Sequence, residues 1–195
     1  MLSEVMPKVT VVTLTIPGRE GFLYRAKQQF KAQDYPNKEL VIVDCAGNTG
    51  FKRNVGCEAA QGEIIVHMDD DDWYSPDWVS KSVAALTSSG ADLVGLRSMY
   101  FYDLRAKKHF IYDPPTNWNT ILYGATQCYW RKTWQAIRFE HRERGEDSEF
   151  SHRCRKFCHD YREGFVAIRH DGNTGGTILG SFPFKEIDKI PNFEY

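Results

Sequence analysis

Residues 51–78 read FKRNVGCEAAQGEIIVHMDDDDWYSPDW, and this stretch decides the fold. Its first ten residues have a helical pattern, and residues 63–68 form an apolar run too short for an independent helix. Such a run is typical of a buried strand in a parallel sheet. Four consecutive aspartates, residues 69–72, follow it directly. Ser75 and Pro76 then suit the N-cap and the first position of a further helix.

The flanking sequence extends this alternation. Strand-like runs occupy residues 9–14 and 40–44, and helical patterns occupy 20–33 and 51–60. The order β-α-β-α-β predicts an α/β fold with a parallel sheet and helices on its faces. The later elements that we predict are a helix at 77–88, a strand at 92–96, a hairpin of 98–103 and 109–112, a strand at 126–130, a helix at 146–157 and a strand at 165–169. The chain after Gly175 is predicted to be irregular.

Bulk composition favours one domain and excludes several classes of protein. The 42% hydrophobic content of the 195 residues suffices for a packed core, and the net charge of -1 provides no long-range basic field for nucleic acid. The N-terminus has no signal-peptide pattern, and no apolar run approaches the ~18 residues of a membrane span. These features predict a cytoplasmic protein of a bacterial cell or a viral host.

The cysteines do not indicate a disulfide framework, because five is an odd number and their spacing is loose. Cys154 and Cys158 lie four residues apart with His152 and His159 beside them, which are residue types that can bind zinc. The CxxC knuckle and the second ligand pair of structural zinc sites are missing. We therefore interpret the cysteines as small buried apolar residues.

Polar residues follow each of three predicted parallel strands. The first strand ends in TIPGRE, the second in Asp44 and the third in Asp69 to Asp72. Ligands of doubly wound sheets bind at the carboxyl ends of strands, so we expect these residues to line one site. Neither GxGxxG nor GxxxxGK[ST] occurs in the chain. The charge of a bound phosphate would therefore be met by a metal and by Arg19, Lys52 or Arg53.

The aspartate cluster favours a divalent cation. Four adjacent carboxylates repel one another, and Mg²⁺ or Mn²⁺, which prefer hard oxygen ligands, would offset that repulsion. Asp69 and Asp71 are expected to share a face, because alternate residues of an extended segment point the same way. The alternative is a solvated acidic turn that caps the helix beginning at Pro76.

Two later clusters add ionisable groups. Gly145-Glu146-Asp147 precedes a predicted helix, where a carboxylate held by backbone N–H groups can act as a general base toward a hydroxyl. The alternative there is a plain helix cap. Residues 169–176 read RHDGNTGG, and His170 in this loop would complete a metal shell or close over a diphosphate. A surface-loop histidine is the alternative for that position.

These motifs together resemble the family 2 glycosyltransferases of the GT-A fold. The resemblance runs from Val9 to about Pro76 and more loosely to His170. The opening VTVVTLTIPGRE resembles the family's first strand and its Thr/Pro/Arg loop, and AQDYPNKELVIVD resembles its second-strand segment. Residues 51–78 resemble its RNxG helix, third strand and DxD motif, and GED resembles its acidic base motif.

The resemblance implies a GT-A domain with a Rossmann-like, mostly parallel sheet flanked by helices and a smaller antiparallel acceptor-side portion. It implies a single catalytic domain over residues 1–195. Within that domain, residues 1–97 would form the nucleotide-sugar-binding half, residues 98–180 the acceptor-side half and residues 181–195 a C-terminal tail.

The resemblance also implies residue roles. Asp147 is the expected catalytic base, and Asp71 and His170 are the expected ligands of Mn²⁺ or Mg²⁺. The register of the metal ligand within the four aspartates is open by one residue. Gly124 is expected in a loop that faces the donor sugar. The expected nucleotide-binding residues are Thr15, Pro17, Arg19, Asp44, Arg53, Asp69 and Asp70.

The implied activity is inverting transfer of one sugar from a nucleotide-diphosphate sugar, with a UDP-sugar favoured, to an acceptor hydroxyl. The acceptor could be a glycan, a protein or a modified nucleobase. The QxxRW signature of processive synthases is missing, which favours single-sugar transfer. Three alternatives are a non-catalytic binding module that kept the fold, a nucleotidyltransferase that forms nucleotide sugars, and an aspartate phosphatase, whose motif Asp72-Trp73 does not fit. The DxD and GED motifs disfavour the first, and the poor glycine loop TIPGREG disfavours the second.

Overall fold

The computed structural model describes residues 6–115, 122–173, 179 and 183–194, which form two sheets and five α-helices. The strands are β1 (Val9–Leu14), β2 (Lys38–Val43), β3 (Ile64–His67), β4 (Trp73–Tyr74), β5 (Leu93–Gly95), β6 (Met99–Asp103), β7 (Lys108–Tyr112), β8 (Cys128–Trp130), β9 (Lys156–Cys158), β10 (Phe165–Arg169) and β11 (Phe184–Ile187). The helices are α1 (Glu20–Ala32), α2 (Thr49–Ala59), α3 (Trp78–Ser89), α4 (Arg131–Ile137) and α5 (Glu146–His152). Among these helices, none combines the length and the apolar character that crossing a bilayer requires.

The first sheet has the strand order β2-β1-β3-β8-β5-β9. β1 is parallel to β2 and to β3, as the β-α-β-α-β pattern predicts, whereas β8 is antiparallel to both of its neighbours. Both faces of β1 and β3 are buried because helices cover them. Val11 and Val66 pack in one core with α3, and Val12 and Ile65 pack in a second core with Cys57 of α2. This explains why these strands are continuous apolar runs.

The second sheet has the order β11-β7-β6-β10-β4. The predicted hairpin of β6 and β7 is present, and β10 runs parallel to β6, so one pair of this otherwise antiparallel sheet is parallel. β4 is antiparallel to β10 and begins directly after the four aspartates. The aspartates therefore lie in the connection between the first sheet and the second.

The sheets do not divide at residue 97. β8 and β9 come from beyond that position and join the first sheet, while β4 comes before it and joins the second. The segment predicted as a C-terminal tail also contributes a strand, because β11 pairs with β7. The prediction that the chain after Gly175 is irregular is therefore wrong for residues 184–187.

Two helix predictions are corrected. The helix predicted at 146–157 ends at His152, and β9 then pairs with β5 at the sheet edge, so tertiary pairing outweighs the local helical pattern. The helix predicted from Asp77 begins at Trp78. Ser75 does not cap it, because the Ser75 hydroxyl donates to Asp77 Oδ1 at 2.8 Å instead. The helix α4 was not predicted from the sequence.

Acid should destabilise the fold in part through His159, whose ring centroid lies 5.6 Å from that of Trp78. Burial lowers the pKa of His159 to about 4, against a small opposing effect of Asp160. A depressed histidine pKa stabilises the fold at high pH, and that contribution is lost as pH falls from about 6.5 to 4. As pH falls over this interval, the free energy of unfolding of His159→Phe should therefore decrease less than that of the wild type, by at most about 3 kcal/mol.

Urea denaturation at several pH values measures the effect of His159. His152→Phe is the matched control, because His152 is exposed at the end of α5. An acid dependence that is the same in His159→Phe and in the wild type would contradict the assignment to His159.

Candidate functional site

A cleft of about 460 Å³ opens at the carboxyl ends of β1 and β3. Its walls come from the end of β1, the start of α2, the aspartate connection, the start of α5 and the segment after β10. Its volume lies in the range of small-molecule sites. Its charged lining residues are Arg19, Lys52, Arg53, Asp69, Asp70, Asp71, Asp72, Glu143, Arg144, Glu146, Asp147 and Arg169.

The four aspartates form a turn, so the expected extended alternation is not found; Asp70 and Asp71 share Arg19, whereas Asp72 has a different partner. Asp70 accepts hydrogen bonds from Thr15 Oγ1 at 2.6 Å and from Arg19 Nη1 at 2.8 Å. Asp72 accepts from the Ile168 N–H at 2.9 Å, which ties the turn to β10. These two carboxylates therefore fix the turn against the first strand and the second sheet.

Asp71 is the aspartate that meets the predicted histidine. Its Oδ2 lies 3.0 Å from His170 Nε2 and 3.0 Å from Arg19 Nη1, and it accepts from Asn173 Nδ2 at 3.3 Å. The guanidinium of Arg19 also donates to the Gly172 carbonyl. The two expected metal ligands are thus adjacent, although 99 residues separate them in sequence.

Asp71 and His170 fit a divalent cation that takes its remaining ligands from a substrate and from water. Within residues 6–115 and 122–173, no three Asp, Glu, His or Cys side chains are grouped to hold an ion by themselves. Mg²⁺ commonly accepts one or two carboxylates together with phosphate oxygens and waters. His170 Nδ1 now accepts the Gly172 N–H at 3.1 Å. Neutral His170 would have to exchange tautomers, and lose that bond, to ligate through Nε2.

Arg53 lines the cleft but is only 4% exposed. Its Nε donates to Glu146 Oε1 at 3.1 Å. Burial alone would lower the pKa of Arg53, but Asp69, Glu146 and Asp147 together raise it. One guanidinium therefore provides the counter-charge for carboxylates of both acidic motifs.

Asp69 faces this buried guanidinium rather than Arg19. Burial raises the pKa of Asp69 to about 6, with further increases from Asp71 and Asp70, and Arg53 opposes the shift. Asp69 Oδ1 has no hydrogen-bond partner in the described part of the chain. A buried acceptor of this kind costs free energy until a ligand or water pairs with it.

Asp147 is held by backbone N–H groups at the start of α5. Its Oδ2 accepts from the Gly124 N–H at 2.9 Å, and its Oδ1 accepts from the Ser148 N–H at 2.7 Å. A Cβ atom at Gly124 would lie 2.8 Å from Arg53 Nη2 and 2.9 Å from Asp147 Oδ2. A side chain at position 124 would therefore displace the Asp147 carboxylate and the Arg53 guanidinium from their present positions.

The structure gathers most of the expected site residues, and those lining the cleft are Thr15, Arg19, Arg53, Asp69, Asp70, Asp71, Gly124 and Asp147. Pro17 and Asp44 are exposed and are not among the lining residues. His170 reaches the site through its contact with Asp71, and its ring stacks on Phe22 with centroids 4.6 Å apart. Residues 174–176 of the predicted histidine loop lie outside the described residues.

Two contributors were missed from the sequence. Glu146 was treated only as part of a motif, although it forms the buried pair with Arg53. Asn173 donates to Asp71 and accepts the His170 N–H at 2.6 Å through Oδ1. Its signal in the sequence is the position three residues after the histidine, since an asparagine at that spacing can close a turn.

The sequence pattern described as "Glycosyl transferase family 2" matches residues 49–163 of the chain, which is more than half of its length. The chain belongs to family 2 of the glycosyltransferases. The matched segment includes α2, the aspartate turn and α5, and so it contains both acidic motifs of the cleft. The family resemblance stated from the sequence is thereby confirmed.

A curated relative is the glycosyltransferase AglE of Haloferax volcanii, which is 28% identical over 116 residues. That alignment covers 59% of this chain and 38% of AglE, so the chain spans well under half of the relative's length.

Solved structures of glycosyltransferases confirm the fold. Staphylococcus aureus TarS, in a crystal structure of its residues 1–349 with UDP, superposes with a TM-score of 0.66 and 17% identity over 83% of this chain and 60% of that one. The mannosyltransferase PcManGT of Pyrobaculum calidifontis, in complex with GDP-Man and Mn²⁺, has a TM-score of 0.59 and 17% identity over 85% of this chain and 57% of that one. The predicted GT-A architecture is confirmed by these likenesses.

Proposed function

We propose that this family 2 chain is a metal-dependent, inverting glycosyltransferase that moves one sugar from a nucleotide-diphosphate sugar to an acceptor hydroxyl. The observation that carries the proposal is the meeting of the Asp71–His170 pair and the Asp147 carboxylate at one cleft. A cation-binding pair and a backbone-held carboxylate are the two groups that displacement of a diphosphate by a hydroxyl requires.

The proposed donor is a nucleotide-diphosphate sugar, with a UDP-sugar favoured. In support, TarS was solved with UDP and with UDP-GlcNAc, and PcManGT with GDP-Man. Pro17 and Asp44 would contribute from exposed loops at the same edge of the sheet, and Arg53 would act through its carboxylate partners. The residues proposed to contact the nucleotide directly are Thr15, Pro17, Arg19, Asp44, Asp69 and Asp70.

In the proposed reaction Asp147 accepts the proton of the acceptor hydroxyl, and the hydroxyl oxygen attacks the anomeric carbon on the face opposite the diphosphate. The N–H groups of Gly124 and Ser148 fix the orientation of the carboxylate, which lines the cleft. Asp71 and His170 would hold Mn²⁺ or Mg²⁺, which when bound stabilises the negative charge of the departing diphosphate. The acceptor would be a glycan, a protein or another hydroxyl compound, and the cytoplasmic location stays a prediction.

A screen of nucleotide sugars tests the proposed function. Binding by titration calorimetry and release of nucleoside diphosphate would be measured for each donor, with Mn²⁺ and with a chelator. We expect at least one donor to bind and to be hydrolysed only in the presence of the cation. Metal-dependent binding without hydrolysis or transfer would favour the non-catalytic module, and no binding of any donor would overturn the proposal.

Asp71→Ala should weaken Mn²⁺-dependent donor binding, because it removes one of the two residues proposed to hold the cation; a 100-fold loss of affinity corresponds to about 3 kcal/mol. The measurement is donor affinity by calorimetry with and without Mn²⁺. Asp171→Asn is the control for loss of charge alone, since Asp171 is an exposed neighbour of His170. Unchanged metal dependence in Asp71→Ala would show that the cation is held elsewhere.

A further inference from the structure

Lys52 is a buried cation whose charge the described residues do not neutralise. It lies on α2, is 8% exposed and lines the cleft. Its Nζ donates to the main-chain carbonyl of Thr15 at 3.2 Å. No carboxylate in the described ranges lies within ion-pair distance of this ammonium, in contrast to the carboxylates that pair with Arg19 and Arg53.

Burial of an unpaired ammonium is unfavourable, because the charge loses water without gaining an opposite charge. A lysine ammonium has three donors, and the Thr15 carbonyl takes one of them. The residues on either side of Thr15, Leu14 and Ile16, also line the cleft and carry no acidic group. Among the described residues, Thr15 is the one hydrogen-bond partner of the Lys52 ammonium, so its remaining donors are available to a ligand.

We infer that Lys52 binds an acceptor oxygen of the donor nucleotide, either a carbonyl of the base or a phosphate oxygen. This inference rests on the proposed function. The inference explains why an unpaired buried cation lies at the cleft although it destabilises the folded state, because a ligand oxygen would be its missing partner. Lys52 differs in this respect from Arg19 and Arg53, whose guanidinium groups already have carboxylate partners.

Lys52→Met tests the inference, because we expect this variant to keep or gain stability without ligand and to lose affinity for nucleotides. Without ligand, the variant should be as stable as the wild type or more stable, because an uncompensated buried charge is removed. Affinity for UDP or GDP should fall about 10-fold or more, since a hydrogen bond to a charged group is lost. Urea denaturation and titration calorimetry in Mn²⁺ measure the two quantities.

A comparison of nucleosides with nucleoside diphosphates distinguishes whether Lys52 contacts an oxygen of the base or of a phosphate. If Lys52 contacts the base, the affinities for uridine and UDP, or for guanosine and GDP, fall by the same factor in Lys52→Met. If it contacts a phosphate, only the diphosphates lose affinity. Either result supports the inference.

Lys38→Met is the matched control for loss of a lysine bound to carbonyls. Lys38 Nζ donates to the Gln33 and Tyr35 carbonyls at 2.8 Å each, and Lys38 is not among the cleft-lining residues. This control should bind nucleotides as the wild type does. Equal nucleotide affinity in Lys52→Met and the wild type would overturn the inference alone, whereas a wild type that binds no nucleotide would overturn the proposed function with it.

Discussion

Asp147→Asn is expected to lower the rate of donor hydrolysis by about 10²- to 10⁴-fold, the usual contribution of a positioned general base. The amide cannot accept the proton of an attacking hydroxyl or water, yet it has nearly the shape of the carboxylate. Nucleotide affinity should change little, because Asp147 is held by Gly124 and Ser148 and not by the proposed nucleotide-binding residues. Release of nucleoside diphosphate from a donor found by the screen measures the rate.

Glu149→Gln is the matched control for Asp147→Asn. Glu149 is also an acidic residue in the first turn of α5, but its carboxylate lies 3.7 Å from Arg153 at the surface. We expect this control to hydrolyse the donor at the wild-type rate. Hydrolysis by Asp147→Asn at that same rate would place the base elsewhere in the cleft.

Arg53→Met is expected to lower the free energy of unfolding by about 3 to 5 kcal/mol, the cost of removing one partner of a buried ion pair. Glu146, which is 4% exposed, would lose its counter-charge, and so would Asp69. The double variant Arg53→Met with Glu146→Leu should recover part of the loss, since the stranded carboxylate is also removed. Urea denaturation at neutral pH gives all of these free energies.

Lys108→Met is the surface control for Arg53→Met. Its Nζ lies 2.9 Å from Glu186, but both side chains are about half exposed, at 52% and 53%. Solvent-exposed pairs of this kind contribute about 0 to 1 kcal/mol. If Arg53→Met cost no more than this control, the guanidinium would not be the counter-charge that links the two acidic motifs.

The sequence predicted the central strands β1 and β3 of the first sheet well because their signal is local. Their apolar runs are buried on both faces by helices, and that burial is visible as continuous hydrophobicity. The edge strands β9 and β11 lack this signal. Residues of β9 alternate between partly buried and exposed, and β11 has two exposed central residues, so each exists through pairing with a neighbour that the sequence does not reveal.

The sequence predicted the motifs of the site but not the hydrogen-bond and ion-pair partners of their residues. The four aspartates after β3 predict a cation site, which stays a prediction, and the structure places Asp71 in contact with His170. The sequence pattern could not assign a partner to each of the four aspartates, because the partners Arg19, Ile168 and Arg53 lie in distant segments of the chain. For the same reason the pairing of Arg53 with Glu146 was not predicted.

The connection from β3 to β4 contains the aspartate turn, and this connection passes from one sheet to the other. Asp72 stabilises this connection by accepting a hydrogen bond from the Ile168 N–H of β10. A ligand bound by the turn would therefore stabilise the packing of the two sheets against each other. Because a ligand that binds only the folded chain raises its melting temperature, sugar-nucleotide binding should stabilise both sheets together.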